Sequence, residues 1–188
     1  PWPGMLLGLW KDVEKYKNVY WSKFESLYYP GDYAIKDSDG YLWLLGRSDD
    51  VLKVAGHRIG TAELESSIVS HNDVAESAVC GIPDDVKGES IIAFVVLKEN
   101  VHATDDTLRS ELRDTIRTQI GPIATPSQFY IVTKLPKTRS GKIMRRLLKS
   151  IANNETIGDV STLEDGAAVS EIQSTFNELQ KNIQNQKN

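Results

Sequence analysis

The sequence predicts an α+β fold in which a small β-sheet is flanked by helices. Two largely apolar segments, 74–82 and 91–97, are rich in Val, Ile and Ala and indicate buried strands. Two amphipathic patterns indicate the helices: one places Leu64 and Ile68 on a single face, and the other spans 105–120. The chain has 188 residues, 40% of them hydrophobic, so it can bury a core without disulfides or metals.

The other elements follow in chain order. Residues 1–31 are rich in Trp and Tyr but lack a clean period, so we expect irregular structure there. Asp39-Gly40 is a strong tight-turn signal and predicts a β-hairpin over about 33–45. The remaining patterns predict a strand at 51–54, a loop at 56–58, a helix capped by Thr61 and running to about Ser70, a strand at 129–132, a loop at 136–141, and a basic helix from Lys142 to about Ala152.

The domain organisation follows from the polar joint Arg47-Ser48-Asp49-Asp50. We place a boundary there, so that 1–48 is the end of one domain and 49–152 is a small domain of its own. Residues 153–188 form an extension whose apolar spacing predicts a helix at about 169–182. Because residue 1 is not Met, we expect the sequence to be part of a longer chain.

Composition excludes several classes of protein. The single cysteine, Cys80, excludes an internal disulfide framework and a Cys-based zinc site, and it fits a reducing compartment. No apolar run approaches the ~18 residues that a membrane span needs. The net charge of -4 argues against a general nucleic-acid binder. Residues 131–154, however, contain seven Lys and Arg and no acid, which indicates either a solvated helix face or a phosphate or carboxylate site.

Three segments are too particular for a generic domain. They are Tyr-Pro-Gly-Asp at 29–32, the run at 46–65 that begins Gly-Arg-Ser-Asp-Asp and contains Gly-His-Arg, and Leu-Pro-Lys-Thr-Arg-Ser-Gly-Lys-Ile-Met-Arg-Arg at 135–146. Together they resemble the late core motifs of the AMP-forming acyl-adenylating enzymes. With Ile-Gly-Pro-Ile-Ala-Thr-Pro at 120–126, the details look like the acetyl-CoA synthetases of that superfamily.

The resemblance implies a fold and a reaction. The chain would contain the last segment of a large N-terminal domain and then the small mobile C-terminal domain. Acetate would attack the α-phosphorus of ATP to give acetyl-AMP and pyrophosphate, with Mg²⁺ offsetting charge repulsion, and CoA would then displace AMP. The small domain would rotate between the two half-reactions. The family's phosphate loop, adenine pocket and acyl pocket are absent, so the chain alone is expected to be inactive.

The resemblance also assigns roles to individual residues. Lys142 matches the residue that orients the acyl carboxylate and the α-phosphate in adenylation. Asp32, Arg47 and Arg58 match nucleotide contacts, and Asp49 matches the hinge of the small domain. The resemblance assigns CoA contacts to Gly56, His57 and Arg117. It assigns contacts with a divalent cation to Val69, His71 and Val74.

Partners and alternatives complete the sequence-based expectations. The partners would be acetate, ATP, CoA, the upstream domain, and a lysine acetyltransferase and deacetylase acting on Lys142; no membrane and no nucleic acid is expected. The protein would be cytoplasmic, and also nuclear if eukaryotic. A propionyl-CoA or other short-chain synthetase is the alternative within the family. A basic nucleic-acid-binding module and a structural protein that uses the terminal helix are the alternatives outside it.

Overall fold

Two units, residues 1–49 and 50–188, make up the computed structural model. It describes residues 2–99, 101, 105–153, 155–156, 163, 170 and 174. Most of the predicted helix at 169–182 therefore lies outside the described residues.

The first unit contains a helix and a hairpin. Helix α1 (Val13–Tyr20) begins after Asp12, whose carboxylate accepts a hydrogen bond from the N–H of Lys15 at 3.0 Å. The expectation of irregular structure over 1–31 was wrong for these eight residues, which form a helix that has no buried residue. Strand β1 (Asp32–Lys36) pairs antiparallel with β2 (Leu42–Arg47), and the register sets Asp32 opposite Arg47.

The second unit confirms the α+β prediction. Its elements are β3 (Leu52–Val54), β4 (His57–Ile59), α2 (Thr61–Val69), β5 (Val74–Asp84), β6 (Gly88–Leu97), α3 (Asp105–Gln119), a 3-10 turn (Pro122–Ala124), β7 (Gln128–Ile131) and α4 (Arg145–Ala152). The sheet has the order β4-β3-β6-β5, and β7 pairs with β6 in parallel. The other pairs are antiparallel. Among the described strands, β5 pairs with β6 alone and is therefore an edge strand.

Side chains alternate between two apolar layers along the central strands, because successive strand residues face opposite sides of a sheet. On β6, Ile91, Ala93 and Val95 pack with α2 and α3, whereas Ile92 and Phe94 pack with α4. The buried positions predicted for the two helices, Leu64 and Ile68 on α2 and Leu108, Leu112 and Ile116 on α3, all lie in the first layer. Both faces of the sheet are therefore covered by helices, which explains its largely apolar strands.

The predicted loop at 56–58 was wrong. Strand β4 begins at His57, because the chain reverses within the two residues Ala55 and Gly56. Their φ angles are +47° and +83°. Positive φ at both central residues is the type I′ geometry, which joins antiparallel strands without further loop residues.

Two helix starts also differ from the predictions. Gly60 precedes α2 without a side-chain cap, and Thr61 is instead a buried residue of the first turn. Helix α4 begins at Arg145 rather than Lys142, because residues 138–142 form a tight turn before it. Lys142 therefore lies on a loop.

None of the helices in the described residues is long and apolar enough to cross a membrane.

We predict that Cys80 does not react with a thiol-specific disulfide reagent while the chain is folded. Burial of Cys80 in the α4 layer raises the pKa of its thiol to about 12, so the nucleophilic thiolate is scarce at about pH 8. The measurement compares thiol release in buffer with release in concentrated guanidinium chloride, where one thiol per chain should react. Full reaction of the folded chain would contradict the buried assignment.

Candidate active-site elements

Arg47 brings together two other residues that the sequence singled out. Its Nη1 lies 3.3 Å from Asp32 Oδ1, and its Nε lies 3.3 Å from Asp49 Oδ1. The same Nη1 donates to the carbonyl of Pro30 at 2.7 Å. Each of the two acidic side chains is about half exposed or more, so both retain oxygen atoms that face solvent. The cluster can therefore accept hydroxyl groups at Asp32 while Arg47 fixes the carboxylate.

Gly31 is a part of this cluster that the sequence analysis did not single out. It is buried, has φ +83°, and a Cβ built there would lie 2.7 Å from Arg47 Nη2. Its carbonyl accepts a hydrogen bond from the N–H of Ser48 at 2.8 Å. The guanidinium therefore lies flat against a position that only glycine fits. The signal for it was the Pro-Gly-Asp motif itself.

Tyr29 contacts Ser48, the residue that follows Arg47 in this cluster. Its hydroxyl forms a short hydrogen bond with the hydroxyl of Ser48 and accepts one from Lys23 Nζ at 2.9 Å. The bond from Lys23 lowers the pKa of Tyr29, with a smaller contribution from Ser48. Ser48 directly follows Arg47, so these contacts fix the end of β2.

Gly56, His57 and Arg58 lie together on the β3–β4 hairpin. Gly56 occupies the turn, and a Cβ built there meets no atom within 4 Å. His57 and Arg58 are exposed on β4, opposite Val54 and Lys53. A depression beside the turn is lined by Ala55, Lys87 and Ile123, among others. The space at Gly56 is thus open, and the 120–126 segment that the sequence singled out borders it.

Lys142 projects from a three-residue turn between two short paired limbs. The N–H of Thr138 donates to the carbonyl of Lys142 at 2.9 Å, and the N–H of Gly141 donates to the carbonyl of Thr138 at 2.8 Å. Gly141 has φ +79°, which such turns require at the last position. Within the described residues, the exposed ammonium of Lys142 makes no hydrogen bond or ion pair.

Two ion pairs fix the base of this turn. Lys137 Nζ donates to Glu76 Oε1 on β5 at 2.6 Å. On the other limb, Arg145 makes a two-pronged hydrogen bond to Glu65, in which the Nε–Oε1 distance is 2.7 Å. The Lys142 ammonium therefore lies on a backbone that is anchored on one side to β5 and on the other to α2.

Glu65 and Arg145 are functional candidates that the sequence analysis did not assign. Glu65 is buried, and its Oε1 also accepts the N–H of Val79 at 2.9 Å. The hydrogen bonds to Glu65 raise the pKa of Arg145 despite partial burial, and Asp50 Oδ2 adds a weaker contact at 3.9 Å. No local pattern predicts this pairing, because Glu65 lies in an apolar helix pattern and Arg145 lies 80 residues later in a basic run.

The candidate cation ligands Val69, His71 and Val74 do not present side chains suited to Mg²⁺. His71 Nδ1 accepts the N–H of Asp73 at 3.2 Å, and its Nε2 lies 3.2 Å from Glu111 Oε2. Val74 is buried at the start of β5, and Val69 ends α2. Mg²⁺ prefers oxygen ligands, so these three residues could offer it only main-chain carbonyls. No cluster of three His, Cys, Asp or Glu that could hold a metal occurs among the residues that the structure describes.

Arg117 lies exposed in the last turn of α3. In the described part of the chain, no hydrogen bond or ion pair joins it to Lys142, His71 or the β3–β4 hairpin. Among the described residues, the second unit thus presents its candidate residues at separate positions rather than as a single closed site.

Comparison with known proteins identifies the domain. Residues 63–142 match the model of the AMP-binding enzyme C-terminal domain. By this match, residues 63–142 are a segment of the AMP-binding enzyme C-terminal domain family. The matched residues include α2 from Glu63 onward, strands β5 to β7, α3 and the turn that ends at Lys142.

Relatives extend the match over nearly the whole chain. An acetyl-coenzyme A synthetase of Pyrobaculum aerophilum is 62% identical over 179 residues, which are 95% of this chain. A 3-hydroxypropionyl-coenzyme A synthetase of Metallosphaera sedula is 50% identical over 182 residues, which are 96% of this chain. In both cases the chain spans only 27% of the relative's length.

A solved structure shares the fold of the AMP-binding C-terminal domain. The crystal structure of an anthranilate CoA ligase in complex with anthranoyl-AMP superimposes with a TM-score of 0.68 and 36% identity. The match covers 79% of this chain and 28% of that one.

We predict that Gly31→Ala frees the Arg47 guanidinium. The added Cβ would overlap Nη2, so Arg47 must leave Asp32 and Asp49. Exchange of the Arg47 Nη protons with water, measured by NMR, should accelerate at least ~10-fold, the scale of losing a charged hydrogen bond. Gly8→Ala is the matched control, because a Cβ there meets no atom within 4 Å. Unchanged exchange in Gly31→Ala would contradict the close packing of Gly31 against Arg47.

Proposed function

We propose that this chain forms the mobile end of an AMP-forming acetyl-CoA synthetase, in which Lys142 drives formation of acetyl-AMP from acetate and ATP. The observation that carries the proposal is the Lys142 ammonium, which has no partner among the described residues and lies on a turn whose two limbs are both anchored. The name of the 62% identical relative supports acetate as the substrate. The 50% identical 3-hydroxypropionyl relative keeps other short acyl chains as the alternative.

Adenylation needs a cation between two anions. The acetate carboxylate must approach the α-phosphate of ATP, and a fixed ammonium offsets the repulsion as charge develops. Lys142 can donate to both anions, because an ammonium group has three donors and this one makes no hydrogen bond to the residues that the structure describes. Mg²⁺, when bound, would supply further neutralisation on the ATP polyphosphate. The described side chains at Val69, His71 and Val74 do not favour that segment as its site.

The nucleotide is proposed to contact Asp32, Arg47 and Arg58. Two carboxylate oxygens of Asp32 can accept both vicinal hydroxyls of the ribose. Arg47 supports this role, because its contact with Asp32 at 3.3 Å fixes the position of the carboxylate. Arg58 is exposed on β4, where a guanidinium can reach a phosphate.

Thioester formation is proposed to use the other face of the second unit. Gly56 would leave room for the pantetheine arm of CoA, His57 would line its path, and Arg117 would contact the CoA nucleotide. The open space around Gly56 supports this proposal. Asp49 would be the hinge on which the domain turns between the two half-reactions.

The remaining proposals concern context. An upstream N-terminal domain would supply the acyl and adenine pockets, because the chain spans only 27% of its relatives' length. Acetylation of Lys142 by an acetyltransferase would remove the catalytic charge, and a deacetylase would restore it. The exposure of Lys142 on a turn supports access by such enzymes. The lone buried thiol of Cys80 supports a cytoplasmic location.

We predict that Lys142→Ala and Lys142→Gln in the full-length enzyme lower the rate of acetyl-AMP formation by at least ~10²-fold, the scale of losing one preorganised charged donor. Thioester formation from supplied acetyl-AMP should remain, because the ammonium acts on the α-phosphate step. The two half-reactions are assayed separately, by pyrophosphate exchange and by acetyl-CoA production.

The matched control for Lys142 is Lys98→Gln, which removes an exposed ammonium at the end of β6 and should leave both half-reactions unchanged. A near wild-type rate of adenylation in Lys142→Ala, or an equal loss in both half-reactions, would refute the proposed role.

We also predict that Gly56→Leu and Gly56→Asn block thioester formation and spare adenylation. Either side chain would fill the space that the pantetheine arm needs. Leu at φ +83° strains the turn, whereas Asn tolerates a left-handed backbone, so Gly56→Asn should keep a wild-type melting temperature. If Gly56→Asn folds normally and forms acetyl-CoA from acetyl-AMP at the wild-type rate, Gly56 serves only the turn.

A further inference from the structure

A buried carboxylate joins three elements of the second unit. Glu65 lies on α2 and is 8% exposed. It accepts three hydrogen bonds, one from the N–H of Val79 on β5 and two from the guanidinium of Arg145 on α4. A buried charge is costly unless it is paired and hydrogen-bonded, so the Glu65 carboxylate depends on these three bonds.

The geometry of this pair sets the second limb of the Lys142 turn. Arg145 is the first residue of α4 and follows Lys142 by three positions. The residue between turn and helix, Met144, donates its N–H to the carbonyl of Pro136 at 2.9 Å and so closes the loop. A shift of the Arg145 backbone would therefore move the Lys142 limb with it. The opposite limb is held independently, by Lys137 on Glu76.

Arg145 also reaches the chain beside the proposed hinge. Its Nη1 lies 3.9 Å from Asp50 Oδ2, and both side chains are about one-quarter exposed. The preceding residue, Asp49, is instead paired with Arg47 at 3.3 Å. Two adjacent aspartates are thus held by two different arginines, one in each unit. Asp49 is therefore held by a residue of the first unit, and Asp50 by a residue of the second.

We propose that Arg145 is a positioning residue of the reaction, which acts through Glu65 on the Lys142 turn and through Asp50 on the start of the mobile unit. The inference rests on the proposed role of Lys142 and adds a residue that acts without contact to substrate. The two-pronged geometry is essential to it: a guanidinium matches a carboxylate with two parallel bonds, whereas a lysine at the same place is a single point charge.

The test uses Arg145→Lys, which keeps the positive charge beside Glu65 but removes the fork. In the full-length enzyme, kcat of adenylation should fall at least ~10-fold, because displacement of a catalytic group by about 1 Å can cost 10²-fold. KM for ATP should change less than about 3-fold, since Arg145 does not touch the nucleotide, and thioester formation from supplied acetyl-AMP should stay within the same margin. Arg146→Lys on the same helix is the matched control and should change neither rate.

A second readout separates this proposal from that of Lys142. In the 188-residue chain, hydrogen exchange of the Lys142 and Gly141 amides reports the turn without any catalysis. Arg145→Lys should accelerate exchange of these two amides at least ~10-fold and leave the amides of β6 protected. If exchange at the turn is unchanged, or if exchange rises throughout the sheet, Arg145 does not position Lys142 and the proposal is overturned.

The combination of results assigns any failure. If Lys142→Ala adenylates normally while Arg145→Lys loosens the turn, the proposed function fails and the mechanical link stands. If Lys142→Ala loses adenylation but Arg145→Lys keeps both a tight turn and the wild-type rate, the proposed function stands and the positioning role is overturned. Asp50→Asn tests the hinge arm, and it should lower overall turnover while each isolated half-reaction keeps its rate.

Discussion

The hydrogen-bonded pair of Glu65 and Arg145 determines how the second unit is assembled. Helix α2 packs on one face of the sheet and α4 on the other, and the edge strand β5 lies between them. The Glu65 carboxylate meets the Arg145 guanidinium at this edge and takes the N–H of Val79 on the way. A buried ion pair is weak evidence for stability. Its two parallel bonds nevertheless constrain where the two helices lie relative to each other. The Lys142 turn directly precedes α4, so its position depends on that placement.

The two turns that carry candidate residues obtain their shape from local backbone geometry. Ala55 and Gly56 reverse the chain with positive φ at both positions, and Gly141 does the same at the end of the Lys142 turn. Neither turn is buried, so apolar packing does not hold it. Each is short, and its neighbours are paired in register. Side chains on such turns are exposed to incoming molecules yet are presented on a fixed backbone, which suits residues that must meet a bound nucleotide or thiol.

The sequence predicted most of the fold because its apolar periods are strong. The stripe of Leu108, Leu112 and Ile116, the buried strands and the Asp39-Gly40 hairpin are all read from local patterns. The prediction failed at Gly56-His57-Arg58, a short motif that is compatible with a loop or with a turn and a strand. The positive φ values of Ala55 and Gly56 show that it is a turn followed by a strand. The candidate residues were found by resemblance, one at a time. Their supports, Gly31 and Glu65, were missed because the contacts join residues 16 and 80 positions apart in the chain.

The position of Val79 has a consequence for how the protein behaves among its own copies. An edge strand normally offers a row of unpaired N–H groups to which another strand can add, and this is a common route to aggregation. On β5, the N–H of Val79 is already occupied by Glu65, within a stretch of strongly apolar sequence that favours strand formation. A second chain approaching this edge would have to displace a carboxylate that is itself held by a guanidinium. The same ionic contact that joins the helices thus blocks the addition of a strand at this position of the edge.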